Sequence, residues 1–175
     1  MNYGELKPIY ILLTKYSNLP SRVIGFFAGC EYMHASIALK DAETFFSFNT
    51  KKGFCIETPF GKVRSTPCML YRLDVPERVY DDIDLCIQEF VKSGRHYKFN
   101  FLGTFFTILH IPFWFNPFIM QDRYFCSQFI SEILIATGAA ELQKHPSRFL
   151  PKDFSKDPQF RLCYKGALTG ARRFA

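Results

Sequence analysis

The sequence has no C-x-x-C pair, although it holds six cysteines (Cys30, Cys55, Cys68, Cys86, Cys126 and Cys163). Structural zinc sites draw their thiolates from closely spaced pairs, so a zinc-stapled fold is not expected. The chain is neither small nor dense in cysteine, and its N-terminus lacks a basic, then apolar, then small-residue pattern. Reduced thiols and a cytoplasmic location are the corresponding expectation. There is no dense basic run and no RNA-binding signature, although the net charge is +6. Scattered bases of this kind read as a solvated basic surface or, alternatively, as a source of weak attraction to anionic lipid or an acidic substrate, and not as a nucleic-acid interface. Internal repeats, low-complexity tracts and linkers are also missing. A single domain over residues 1–175 is expected.

Aromatic residues, by contrast, are abundant: 21 phenylalanines and 9 tyrosines. They imply a bulky aromatic core or a greasy surface. Residues 8–14, PIYILLT, read as a buried strand, and Arg22–Ala28 as one or two helical turns. Residues 33–39 alternate: Met33, Ala35, Ile37 and Leu39 face one way, and His34, Ser36 and Ala38 the other. That pattern predicts a half-buried strand. Residues 44–49, 53–59 and 68–75 read as further strands, and their close spacing predicts antiparallel pairing. From Pro76 the period becomes helical, with Val79, Ile83, Ile87, Phe90 and Val91 on one stripe and Gly94 at the end. A second helix is predicted over Phe125–Ala136, closed by Gly138, and RLCYKG (161–166) reads as an edge strand. The fold class is therefore α+β, a small antiparallel sheet or half-barrel with packed helices.

Residues 99–120 contain no Asp, Glu, Lys or Arg. A membrane span is one reading, but Pro112 and Pro117 would free backbone groups that lipid cannot satisfy. A core helix near 101–110 followed by an aromatic loop is the second. In the third, residues 111–118 are exposed as a lid or as a peripheral membrane contact.

Two residues carry the candidate chemistry. Cys126 falls in the opening turn of its predicted helix, where unpaired amides and the helix dipole favour a thiolate. Phe129, Ile130 and Ile133, at i+3, i+4 and i+7, keep the sulfur side of that helix against the sheet. His34 shares its strand face with only small residues, Ser36 and Ala38, which leaves room for a helix end and a substrate. A thiolate–imidazole pair needs a third group to orient the ring. A turn centred on Asp41–Ala42 sets Ser36 opposite Ser47 and His34 opposite Asn49, making Asn49 the first candidate, with Ser47 and Glu57 as alternatives. Tyr124, Tyr10 and Thr14 are candidate substrate-binding residues. No metal and no cofactor is called for.

The stretches SNLPSRVIGFFAGCEYMHASIAL, YFCSQFISEIL and FLPKDFSKDPQFRLCYKG together resemble the circularly permuted NlpC-like cysteine peptidases, in the YiiX-like branch of the papain-like superfamily. The resemblance covers most of the chain, and His34 precedes Cys126 in the order the permuted family requires. It implies a permuted papain-like fold, with Cys126 as nucleophile and His34 as general base. It also implies hydrolysis of an amide or ester in a peptide, isopeptide or acyl-lipid substrate. Acyl transfer, as in the lecithin–retinol acyltransferase-like branch, and a catalytically silent binding module are the alternatives. The family's third residue, often a glutamate, lies on the strand after the histidine strand. Here FFSFN offers Ser47 or Asn49 at that place and no carboxylate.

Overall fold

The computed structural model describes residues 5–15, 29–39, 43–61, 66–108 and 122–174. The expected helix at 22–28 and the loop 111–118 lie outside them. Strands β1 (Leu6–Thr14), β2 (His34–Leu39), β3 (Phe45–Asn49), β4 (Gly53–Glu57), β5 (Pro67–Pro76) and β8 (Arg161–Ala167) form one six-stranded sheet. Its order is β4-β3-β2-β1-β5-β8. Every neighbouring pair is antiparallel. Helix α1 (Glu77–Lys92), which follows β5, packs on β1 and β5, and α3 (Cys126–Ala136), later in the chain, packs on β2 and β3 on the same sheet face. The α+β class expected from the sequence is thus present.

The alternation in the strands sorts residues between two clusters. Ile9, Ile11, Leu13, Ala35, Ile37, Leu39 and Phe48 meet Ile83 and Ile87 of α1 and Phe129, Ile130 and Ile133 of α3. On the other face Tyr10, Leu12, Ala38, Phe45, Cys68 and Leu70 meet Leu168 and Ala171 of the short helix α5 (Leu168–Ala171). Strand β2 is therefore buried along its whole length, not half-buried. The central position of β2 gives it a neighbour on both sides, and at Ala38 the C-terminal part of the chain adds Leu168 and Ala171 over the second face, which local periodicity does not reveal. The open face expected beside His34 is closed, since Ser36 and Ala38 are fully buried.

Pro76 sits at the N-cap of α1, and the helix ends at Ser93 just before Gly94, whose φ of 62° suits glycine. Of the expected stripe, Ile83 and Ile87 are buried and Val79 and Phe90 pack half-buried against the core; Tyr80 joins them, and Val91 is exposed. Helix α2 (Phe101–Ile108) follows β6 (Lys98–Phe99), which pairs in parallel with β7 (Arg123–Tyr124). Only Gly103 and Ile108 of α2 are buried, so it is a surface helix and not the core helix expected. Among the described residues no helix is long and apolar enough to cross a membrane. Short α4 (Pro151–Phe154) lies under the loop that leads to β8, the expected edge strand.

Phe48 is fully buried and touches five aromatic rings: Phe54, Phe90, Tyr97, Tyr124 and Phe129. It joins β3, β4, α1 and α3, so truncating it opens a cavity that none of them alone can close. F48A is expected to lower unfolding stability by about 3–5 kcal/mol in urea titration. F101A on the exposed surface is expected to stay within about 0.5 kcal/mol of wild type. Equal effects would overturn this account of the core.

Candidate active site

The register of β2 and β3 pairs Ile37 with Phe46 and Ala38 with Phe45. Continued along both strands, this is the offset expected from a turn centred at 41–42. On the other side of β2, Thr14 pairs directly with His34. The Met33 N–H donates to the Thr14 carbonyl at 3.2 Å, which fixes the entry to β2. His34 is thus held at the first position of a central strand, and its side chain is almost fully buried.

Glu57, at the last position of β4, brings its carboxylate to that ring. His34 Nε2 lies 3.1 Å from Glu57 Oε1 and 3.0 Å from Oε2. A carboxylate accepts only, so Nε2 carries a proton, and Nδ1 is the ring atom left to exchange a proton with another group. The other group is Cys126, which hydrogen-bonds the imidazole. The sulfur also lies 4.0 Å from the carbonyl oxygen of Met33, the residue before His34. Cys126 is the first residue of α3 and is buried in the cluster that contains Phe129, Ile130 and Ile133. Phe125 stands at the N-cap in extended conformation and makes no side-chain cap. The N-terminal amides of α3 therefore receive no side chain from their own cap.

Burial alone would make the His34 imidazolium less favourable. Hydrogen bonds to Cys126 and Glu57, with the charge of both, outweigh it and hold the ring well above its ordinary value, at about 10. A second thiol touches the same carboxylate. Cys55 Sγ donates to Glu57 Oε1 at 3.6 Å and to the Ser47 carbonyl at 3.5 Å. Burial, then the charge of Glu57 and the hydrogen bond to it, push the Cys55 thiol up to about 12. It is a neutral donor throughout the physiological range.

The geometry corrects the choice of orienting residue. Asn49 is committed to the β3–β4 turn: its Oδ1 accepts from the Lys51 and Lys52 amides at 3.1 and 2.8 Å, and its Nδ2 donates to Cys55 Sγ at 3.1 Å. Ser47 is fully buried and donates to the Ala35 carbonyl at 2.6 Å. The carboxylate at the ring belongs to Glu57, the alternative farther along the chain. Thr14 is beside His34 in the register, whereas Tyr10 belongs to the α5-facing cluster. Tyr124 is half-buried and stacks among Phe48, Phe90 and Tyr97, two residues before the sulfur. Cys55 was not singled out by the sequence; its alternation with Glu57 along GFCIE is the signal that places the two on one face. Among the described residues no group of three or more His, Cys, Asp or Glu side chains is placed so that it could hold a metal ion. No protein-family model matches this sequence, and no curated protein is significantly similar to it.

The raised value of His34 fixes a sign. Its folded value exceeds its unfolded one, so its stabilising contribution is full below about pH 6.5. That contribution is lost as pH rises through about 10. The stability gap between wild type and H34Q, from urea titrations, is expected to narrow steadily between about pH 7 and 10. A gap that stays constant over this range would show that the ring is not a paired cation in the folded state.

Proposed function

We propose that the chain is a thiol hydrolase that cleaves an amide or ester bond through an acyl-cysteine intermediate, on a permuted papain-like scaffold. The observation that carries this reading is one imidazole bonded at Nε2 to a carboxylate and also to a thiol at the mouth of a helix. Transfer of the Cys126 proton to His34 makes the thiolate, which is the nucleophile. The thiolate attacks the carbonyl carbon, and the backbone N–H of Cys126 donates to the developing oxyanion. The C–N or C–O bond breaks as the imidazolium returns its proton to the leaving amine or alcohol, leaving the acyl group on sulfur. Water then gives a proton to His34 and its oxygen to the acyl carbon; the S–C bond breaks and the thiolate takes up the proton from the imidazolium. Glu57 positions the ring and balances its charge at each stage.

The substrate class is an amide or ester of peptide, isopeptide or acyl-lipid type. Acyl transfer would use the same intermediate with an amine in place of water. The alternative of a silent binding module is motivated by a missing carboxylate, and Glu57 beside His34 supports the hydrolase reading over it.

The test is competitive alkylation. A free thiol of ordinary acidity is only about 3% thiolate at pH 7. Cys86 and Cys163 are the more exposed thiols and Cys126 is buried, so accessibility alone ranks Cys126 behind them. With limiting iodoacetamide at pH 7, Cys126 is expected to label roughly tenfold faster than either, by peptide mass spectrometry. H34A and E57Q are both expected to slow it. Hydrolysis of a small activated ester is expected to fall by about 10²–10⁴ in H34A and to vanish in C126A. Labelling ordered by exposure alone, unchanged by H34A, would sink the proposal.

A further inference from the structure

Away from the sulfur, an open cleft of about 260 Å³ lies between the β3–β4 turn and the segment around β6. Its lining includes Lys51, Lys52, Lys98 and Arg123, with Tyr97 and Phe101 among the aromatic residues, and contains no acidic residue. The nearby Arg95 is already paired with Asp122, at 3.6 Å. One wall of the cleft is set by a close approach of two backbones. Gly53, with φ of 70°, brings the start of β4 so close to the Tyr97 backbone that a Cβ there would lie 1.7 Å from the Tyr97 carbonyl oxygen. No other residue type permits that approach.

Phe101 also opens helix α2. There Phe101, Leu102 and Phe105 are 60%, 43% and 55% exposed. Positions i, i+1 and i+4 share one side of a helix, so these three side chains form one apolar patch beside the four cations.

We propose that this combined face docks on an anionic membrane surface. Lipid phosphates meet Lys51, Lys52, Lys98 and Arg123, while Phe101, Leu102 and Phe105 enter the boundary between headgroups and acyl chains. Charge complementarity requires an anionic occupant. The adjoining patch requires one that also offers hydrocarbon, which a free phosphate does not. The inference goes beyond the hydrolase reading and does not rest on it. Arg123 leads through Tyr124 and Phe125 into Cys126, so a docked face would stand at the β7 approach to α3.

The test is co-sedimentation of the full chain with phosphatidylcholine vesicles, with and without about 30% phosphatidylglycerol, at low and high salt. Binding to the anionic vesicles only, lost at high salt, is expected. K51E/K52E/K98E and F101S/F105S should each weaken it by about tenfold or more, with urea stability near wild type. Failure to bind anionic vesicles, or binding unaffected in both variants, would overturn the proposal. So would saturable binding of inorganic phosphate by calorimetry without vesicle binding, which would make the cleft a small-anion site. Catalysis is not read in any arm, so this result and the alkylation result stand or fall separately.

Discussion

The contact between His34 and Glu57 is the constraint on which the rest of this molecule turns. It joins the start of a central strand to the end of the edge strand, with the histidine side chain only 5% and the glutamate 19% exposed. A buried cation without a partner costs several kcal/mol, and a buried pair that loses one member typically costs about 3–5 kcal/mol. The sheet therefore has to be built so that β4 closes on β2 across β3. A slip of one residue in either pairing would turn His34 or Glu57 to the other face. Two side chains guard that register. Ser47 is tied to the Ala35 carbonyl across β2 and β3, and Asn49 closes the turn between β3 and β4.

Packing then delivers the sulfur. Phe129, Ile130 and Ile133 lock one side of α3 into the aromatic and aliphatic core. At the start of the helix Ser127 donates to the Phe149 carbonyl at 2.6 Å. The first residue of α3 thus has little freedom to move along or around the helix axis. Of the rings that surround Phe48, Phe54 belongs to the strand that carries Glu57 and Phe129 to the helix that carries Cys126. The abundance of phenylalanine is therefore a means of fixing an electrostatic site as well as a source of stability.

What the sequence shows of this follows from how far each kind of reasoning reaches. Alternation and helical period act over a few residues, so β1, β2, β3, β5, α1 and α3 are legible within a few residues of their bounds. The β2–β3 register is legible too, because one short turn fixes it. Glu57 is not, as first choice, because its meeting with His34 spans two strand pairings, and cross-strand logic reaches only the adjacent strand. Asn49 is misassigned for a related reason. An asparagine before a Lys-Lys-Gly turn spends its oxygen on backbone amides, a local demand that outweighs a distant one. The burial of Ala38 on the second face of β2 involves Leu168 and Ala171 of α5, more than a hundred residues away. The exposure of α2 runs against its composition, and only tertiary packing decides it.

Two thiols lie in the circle of charge around Glu57, and the surroundings divide their work. Cys55 faces the carboxylate without a cation of its own on the strand. Ionising it would set two negative charges side by side in a buried site, so it stays a thiol and donates its proton inward. Cys126 hydrogen-bonds the same imidazole from the first residue of a helix, so its neighbours are a cationic ring and helix-end amides in place of a carboxylate. The same residue type thus meets opposite electrostatic surroundings, because Cys55 follows the alternation of an edge strand onto the carboxylate whereas Cys126 follows a helix terminus onto the ring.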